Sequence, residues 1–201
     1  MEMTMANLFP YFAAILLLLN FSGVPKTASE TKVVVAKPVH TIEETEESIP
    51  WNEQRQLSWT DFNGEPVGNT EAVASTSTSL GLSYKVEDNV LSYQITCNFN
   101  KPKSWGLLQT PYILAHEQGH FNITEIYARQ LNKALLEYQL NPKTFKRDIN
   151  AIYNIIVQQK ETAQEAYDNE SDHSRNKRIQ QEWSDRIQKM LQDTGPWAAY
   201  P

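Results

Sequence analysis

The chain has 201 residues, of which 40% are hydrophobic, enough for one domain of ordinary size with its own core. A formal net charge of −6 and a pI near 5.3 argue against the basic surface that nucleic-acid binding needs, so no nucleic-acid partner is expected. The single cysteine, Cys97, excludes an intramolecular disulfide, and its place in an alternating apolar segment predicts a buried core residue.

Residues 8–21, LFPYFAAILLLLNF, form an apolar run of about fourteen residues near the N-terminus. A membrane-spanning helix needs about 20 such residues, so the run is more typical of a secretory signal. We predict that residues 1–23 are a signal peptide or an uncleaved membrane anchor. The protein would then be exported across the inner membrane and be periplasmic or secreted, tethered to the membrane through residues 8–21 if the segment is not cleaved.

Residues 24–49 are predicted to be a flexible acidic tether, because the run EETEE at 43–47 is typical of a solvated chain. Within this segment only Val33–Val35 has the character of a strand. The folded domain is expected to occupy residues 50–201 and to begin at Trp51.

A hairpin is predicted at the start of this domain. Apolar and polar residues alternate over Ala72–Tyr84 and over Val90–Phe99, and Asp88-Asn89 between them is a turn signal. This pattern predicts two antiparallel strands with one buried face.

Three helices are predicted after the hairpin. Thr110-Pro111 is a helix start, and the first helix covers Tyr112–Leu140 before Asn141-Pro142 ends it. Apolar spacing predicts a second helix from Phe145 towards Tyr167 and a third from Ile179 to Leu191. Strands followed by helices indicate an α+β fold, with a small antiparallel sheet preceding three helices.

The segment His116-Glu117-Gln118-Gly119-His120 matches the HExxH pattern of hydrolytic zinc sites. In a helix, positions four apart lie about 40° apart on one face, so the two imidazoles can share one metal ion. Glu117 lies beside them as a general base towards a metal-activated water. Because the motif falls in the first long helix, a zincin-like fold with Zn²⁺ as cofactor is expected. A small residue at Gly119 would allow another element to approach closely.

A catalytic zinc ion usually has three protein ligands, so one ligand is missing from the motif. Glu125 is close in sequence but lies about 140° around the helix from His120, which excludes it as a ligand and leaves it a role as a partner of another helix or of a ligand. By elimination His173, in the polar segment after the second helix, is the favoured third ligand, and Asp168 is the second choice. Weaker alternatives are Glu161 and Glu165 in the second helix, and His40 in the tether.

Over roughly Trp51–Trp183 the chain resembles a bacterial family of predicted secreted zinc-dependent proteases, otherwise a domain of unknown function. The resemblance covers the HExxH segment and its continuation through Ala128-Arg129, and five shorter motifs: Leu57-x-Trp59-x-Asp61-Phe62-x-Gly64, Ala74-x-Thr76, Ser104-Trp105, Tyr167-Asp168 with His173, and Gln181-x-Trp183. The chain has Asn122, Ser171 and Ser174 where the family usually has aspartate, threonine and glycine. The resemblance implies a zinc site and a peptide or protein substrate.

Two further residues are candidates for assisting the transition state, Tyr167 and Arg129. The simpler interpretations are a helix-packing tyrosine and a surface arginine. A substrate peptide is expected to lie along an exposed edge of the sheet by strand addition.

A second class of function remains open at this point. The same residues would suit an envelope binding or scaffolding protein in which a zinc ion with four protein ligands holds the helices together without catalysis. HExxH chemistry also does not distinguish peptides from other amides or esters.

Overall fold

The structure is a computed structural model that describes residues 43–66, 68 and 70–201. The predicted signal or anchor segment, Val33–Val35 and His40 lie outside the described residues. Within the described part of the chain, no helix has the length and apolar character needed to cross a membrane.

The described residues form two small antiparallel sheets. Their strands are β1 (Ser48–Pro50), β2 (Ala74–Ser75), β3 (Thr78–Glu87), β4 (Val90–Asn100) and β5 (Trp105–Gly106). The larger sheet has the order β1-β4-β3, and β2 pairs with β5 in the smaller one. The predicted hairpin is therefore confirmed as β3 and β4. Asp88 and Asn89 join them with φ of 49° and 63°, the left-handed conformation that two-residue hairpin turns need.

Alternation along β4 produces the buried face of the larger sheet. The partly buried residues of β4 alternate with five buried residues that face the core: Leu91, Tyr93, Ile95, Cys97 and Phe99. Cys97 is 3% exposed, so the prediction of a buried core residue is confirmed.

Three helices follow the hairpin: α1 (Pro111–Glu137), α2 (Phe145–Ser171) and α3 (Lys177–Asp193). Thr110 caps α1 by accepting a hydrogen bond from the Ile113 backbone N–H at 3.2 Å. Helix α1 packs against the larger sheet and against both other helices. The α+β class, with a small antiparallel sheet and three helices, is confirmed.

The last residues of the predicted tether belong to the folded domain. Strand β1 pairs with the end of β4, Ser48 opposite Asn100, and the Ile49 side chain is completely buried. Glu44 forms ion pairs with Arg55 and Lys101. The domain therefore begins before Trp51, because one apolar residue within the acidic segment completes the core.

Candidate metal centre

Two imidazoles of α1 and one carboxylate of α2 converge on one point. His116 and His120 are one helical turn apart, and their Nε2 atoms lie 3.2 Å from each other. Each Nε2 lies 3.1 Å from Oδ1 of Asp168. We call these three atoms the acceptor triad, because each of them can offer a lone pair to a cation.

A glutamine fixes the ring of His116. Nδ1 of His116 lies 2.8 Å from Oε1 of Gln180, on α3. The Gln180 amide nitrogen donates to the Tyr167 hydroxyl at 2.6 Å, and this contact holds the amide oxygen towards the imidazole. Nδ1 of His116 is therefore the protonated nitrogen, and Nε2 is left with its lone pair facing Asp168.

His120 has the same arrangement with a different glutamine. Nδ1 of His120 lies 2.5 Å from Oε1 of Gln164, on α2. The Gln164 amide nitrogen donates to the His120 carbonyl at 2.9 Å and to Thr124 Oγ1 at 3.2 Å, so its orientation is also determined. Both histidines thus present Nε2 to the same point.

The acceptor triad needs positive charge between its members. With both Nδ1 atoms already protonated, an Nε2–H bond to Asp168 requires a doubly protonated ring. Burial acts to lower the pKa of His120, but Asp168 and Glu117 raise it above the ordinary value. Burial acts to raise the pKa of Asp168, but the bonds to His116 and His120 hold it well below the usual range. A divalent cation would supply the charge without those protons.

The residues of the triad fit a zinc ion in chemistry and spacing. Two histidines and a carboxylate are a known ligand set of catalytic zinc sites. Ligands about 2.0–2.1 Å from a tetrahedral zinc ion are about 3.3 Å from one another. The triad spacings of 3.1, 3.1 and 3.2 Å are close to this value before any ligand moves.

Glu117 lies beside the triad on the wall of a cleft of about 540 Å³, which His116, His120 and Asp168 also line. It is 4% exposed, and burial raises the pKa of its carboxyl above the ordinary value, opposed by His120 and His116. Thr76 also lines the cleft, and its buried Oγ1 has no hydrogen-bond partner of ordinary geometry among the described residues. It is nevertheless close enough to Glu117 to oppose the rise in pKa.

Tyr167 supports the triad by packing against His116. Its ring packs on His116 with centroids 4.5 Å apart, and its hydroxyl donates to the His116 carbonyl at 3.3 Å. A Cβ atom at Gly119 would lie 2.5 Å from the Tyr167 hydroxyl, so the glycine permits this contact. Tyr167 is completely buried and does not line the cleft, which makes it a packing and positioning residue.

His173 lies at the rim of the cleft and is not a member of the triad. Its Nδ1 is 3.7 Å from Asp168 Oδ1, and its side chain is 58% exposed. Asp172, His173 and Ser174 have consecutive positive φ values of 51°, 50° and 69°, a conformation that costs free energy for residues with a side chain. The backbone N–H of His173 donates to the Asp168 carbonyl at 2.8 Å, which holds this loop against the end of α2. The structure therefore brings Asp168, the second choice from the sequence, to the position that the sequence assigned first to His173.

Glu125 and Arg129 lie outside the cleft and form a separate pair. Arg129 Nε donates to Glu125 Oε1 at 2.8 Å, and Arg129 is only 6% exposed. The interpretation of Arg129 as a surface residue is wrong, because its guanidinium is needed to compensate a buried carboxylate. Of the weaker ligand alternatives, Glu161 lines the cleft, whereas Glu165 is exposed on α2 away from it.

A bacterial protein family of unknown function, DUF922, matches residues 53–174, more than half of the chain. The chain belongs to this family. The matched segment includes the triad, Glu117, Gln164 and His173, but ends before Gln180 on α3. No curated protein and no solved structure matches the chain.

Gln164, Gln180 and Thr76 are three residues of the site that were not predicted from the sequence to be functional. Gln164 precedes Asp168 by four residues, so helical spacing would have placed it on the same face once Asp168 was accepted as a ligand. Gln180 comes from a different helix, and only the packing of α3 on α1 shows its role. Thr76 was part of the family resemblance, without an assigned role.

Proposed function

We propose that this protein is an exported zinc-dependent hydrolase with a zincin-like site, and most specifically a peptidase. His116, His120 and Asp168 would hold the zinc ion, and Glu117 would be the general base. The convergence of three lone-pair atoms beside a buried carboxylate, on the wall of an open cleft, is the observation that carries this proposal.

Each residue has a defined task in this proposal. A bound zinc ion would act as a Lewis acid towards a carbonyl group and lower the pKa of a water molecule. Glu117 would take the proton of the attacking water and pass it to the leaving amine, which its raised pKa favours. Gln164 and Gln180 would keep both histidines in the tautomer that binds metal. Tyr167 would keep the His116 ring in position.

The shape of the cleft supports an extended substrate. Residues 72–78, which include β2, line one wall, and α1 and α2 provide the other residues around the triad. Among the described residues, β2 pairs with one strand, β5, and its other edge is free of a partner strand. A peptide would lie along this wall by strand addition, with its scissile bond between the wall and Glu117.

A structural zinc site in an envelope scaffolding protein is the second candidate. The observation in its favour is the 3.7 Å distance between His173 Nδ1 and Asp168 Oδ1, which places a fourth potential ligand near the triad. Four protein ligands would leave no position for a water molecule. The two candidates therefore differ in whether the bound metal retains an open position.

The test is the Glu117→Gln variant, with Glu165→Gln as a matched control on an exposed position of α2. We expect one zinc ion per chain in the parent and in both variants, measured by elemental analysis. Hydrolysis of fluorescently labelled denatured casein should be lost in Glu117→Gln and unchanged in the control. Casein cleavage by Glu117→Gln at the parent rate would contradict the proposed mechanism. If the zinc-loaded parent neither cleaves casein nor binds acetohydroxamate, the structural zinc site would be favoured.

A further inference from the structure

The two ends of the cleft differ in chemical character. Helices α1 and α2 are antiparallel there: the Tyr112 hydroxyl donates to the Ser174 carbonyl at one end, and Thr124 bonds to Gln164 at the other. The opposite wall follows α1, since Thr78 Oγ1 lies 2.7 Å from Thr124 Oγ1. The triad and Glu117 lie between these ends.

The end near Ser174 is apolar at its rim. Val73 accepts backbone hydrogen bonds from Leu107 and Leu108, and the side chains of all three are exposed. The end near Thr124 is charged. Lys160 and Glu161 line it, one turn of α2 before Gln164.

Lys160 is an unusual residue for a cleft wall because it is charged and only 7% exposed. Its Nζ lies 2.9 Å from Oε1 of Glu161, whose side chain is 57% exposed. An ammonium group has three donors, and its burial is unfavourable unless those donors are paired. A single, mostly solvated carboxylate is an incomplete partner.

The other charges of the cleft make this position distinctive. The described residues that line the cleft include three carboxylates, those of Glu117, Glu161 and Asp168, and Lys160 is the one Lys or Arg among them. Away from a metal ion held by the triad, a negatively charged substrate group would therefore find a cationic Lys or Arg side chain only at Lys160 among these residues.

We propose that Lys160 is a specificity residue that binds a carboxylate of the substrate, either its C-terminus or an acidic side chain. This inference rests on the proposed function. Lys160 precedes Asp168 by eight residues, about 12 Å along α2. Since the flexible lysine stem spans part of this distance, the carboxylate would lie about two to three extended residues from the scissile bond.

Three peptide hydroxamates test the proposal on the zinc-loaded full chain. The hydroxamate of Leu-Ala-Ala with a free C-terminus carries a C-terminal carboxylate, and its C-terminal amide carries none. The hydroxamate of Leu-Ala-Glu, as the C-terminal amide, carries a side-chain carboxylate. Their Kd values would be measured by calorimetry for the parent and for Lys160→Gln. Lys146→Gln removes the same charge from an exposed position of α2 and is the control. Lys160→Arg retains the charge.

We expect one of the two carboxylate probes to bind the parent at least about tenfold more tightly than the neutral amide, because charge-assisted hydrogen bonds are strong. The probe that does so identifies the source of the carboxylate. Lys160→Gln should abolish the preference, whereas Lys146→Gln should retain it fully and Lys160→Arg in part.

Equal binding of all three probes by the parent would overturn the proposal for Lys160 while leaving the zinc site intact. A preference that survives in Lys160→Gln would overturn it as well. If the parent holds no zinc, or binds no hydroxamate, the proposed function fails and this inference fails with it.

Discussion

Helix α1 carries two buried polar clusters that differ in their balance of donors and acceptors. One is the acceptor triad with His116 and His120. The other, the Glu125 cluster, consists of Glu125, Arg129, Tyr200 and the Leu191 carbonyl.

The Glu125 cluster is complete without any ligand. Arg129 Nε donates to one Glu125 oxygen at 2.8 Å, and the Tyr200 hydroxyl donates to the other at 2.6 Å. The guanidinium also donates to the Leu191 carbonyl at 2.8 Å. Each charged group has partners of opposite character, so this cluster ties α1 to α3 and to the C-terminal segment.

The acceptor triad, in contrast, lacks donors of its own. Gln164 and Gln180 occupy the protonated nitrogens, and the remaining lone pairs all face one another. A buried cluster that balances its own charges indicates a structural role, and one that needs an added cation indicates a binding site. This difference in donors and acceptors separates Glu125 from the acceptor triad more firmly than its angle around the helix does.

The largest expected effect on stability comes from removing the guanidinium group of the Glu125 cluster. Arg129→Met would leave Glu125 buried without its cation, and we expect the free energy of unfolding to fall by about 3–5 kcal/mol. Urea denaturation would measure it. Arg147→Met, at a side chain that is 78% exposed, should change stability by less than about 0.5 kcal/mol. A folded Arg129→Met protein should still bind zinc; loss of zinc binding without unfolding would contradict the separation of the two clusters.

A smaller change in free energy, here in that of zinc binding, is expected when the glutamines that orient the histidines are replaced. Gln164→Leu and Gln180→Leu should each weaken zinc binding by about 10- to 100-fold, because the freed imidazole loses its fixed tautomer. The exposed Gln159→Leu, on α2, is the control and should bind zinc like the parent. Affinities would be measured by competition with a chromophoric chelator. Unchanged affinity in both glutamine variants would show that the triad needs no such support.

The sequence was sufficient to predict the hairpin, the three helices and the placement of His116 and His120 side by side on one helix, because each depends on local periodicity or spacing. It was not sufficient to rank Asp168 above His173. Helix α2 continues to Ser171, four residues beyond its predicted end at Tyr167, through a polar segment without apolar periodicity. Asp168 therefore lies on the helical face that points at α1, and His173 falls in the left-handed loop beyond it.

The start of the domain is a second feature that the sequence alone was not sufficient to predict. Composition correctly describes the segment before Trp51 as acidic and polar, but it does not reveal that Ile49 completes the core opposite Phe99. The burial of Ile49 and the three paired positions of β1 depend on β4, which is about fifty residues away along the chain. Local composition cannot indicate such a partner.

The most direct test of the account is the zinc affinity of the parent, Asp168→Ala and His173→Ala, measured under identical conditions by chelator competition. We predict one zinc ion per parent chain. Loss of a residue that only supports a metal ligand weakens metal binding by up to roughly 100-fold. Asp168→Ala should weaken zinc binding by more than this, and His173→Ala should weaken it by less than about tenfold. Zinc retained by Asp168→Ala and lost by His173→Ala, or a parent that binds no zinc, would contradict the assignment of His116, His120 and Asp168 as the metal site.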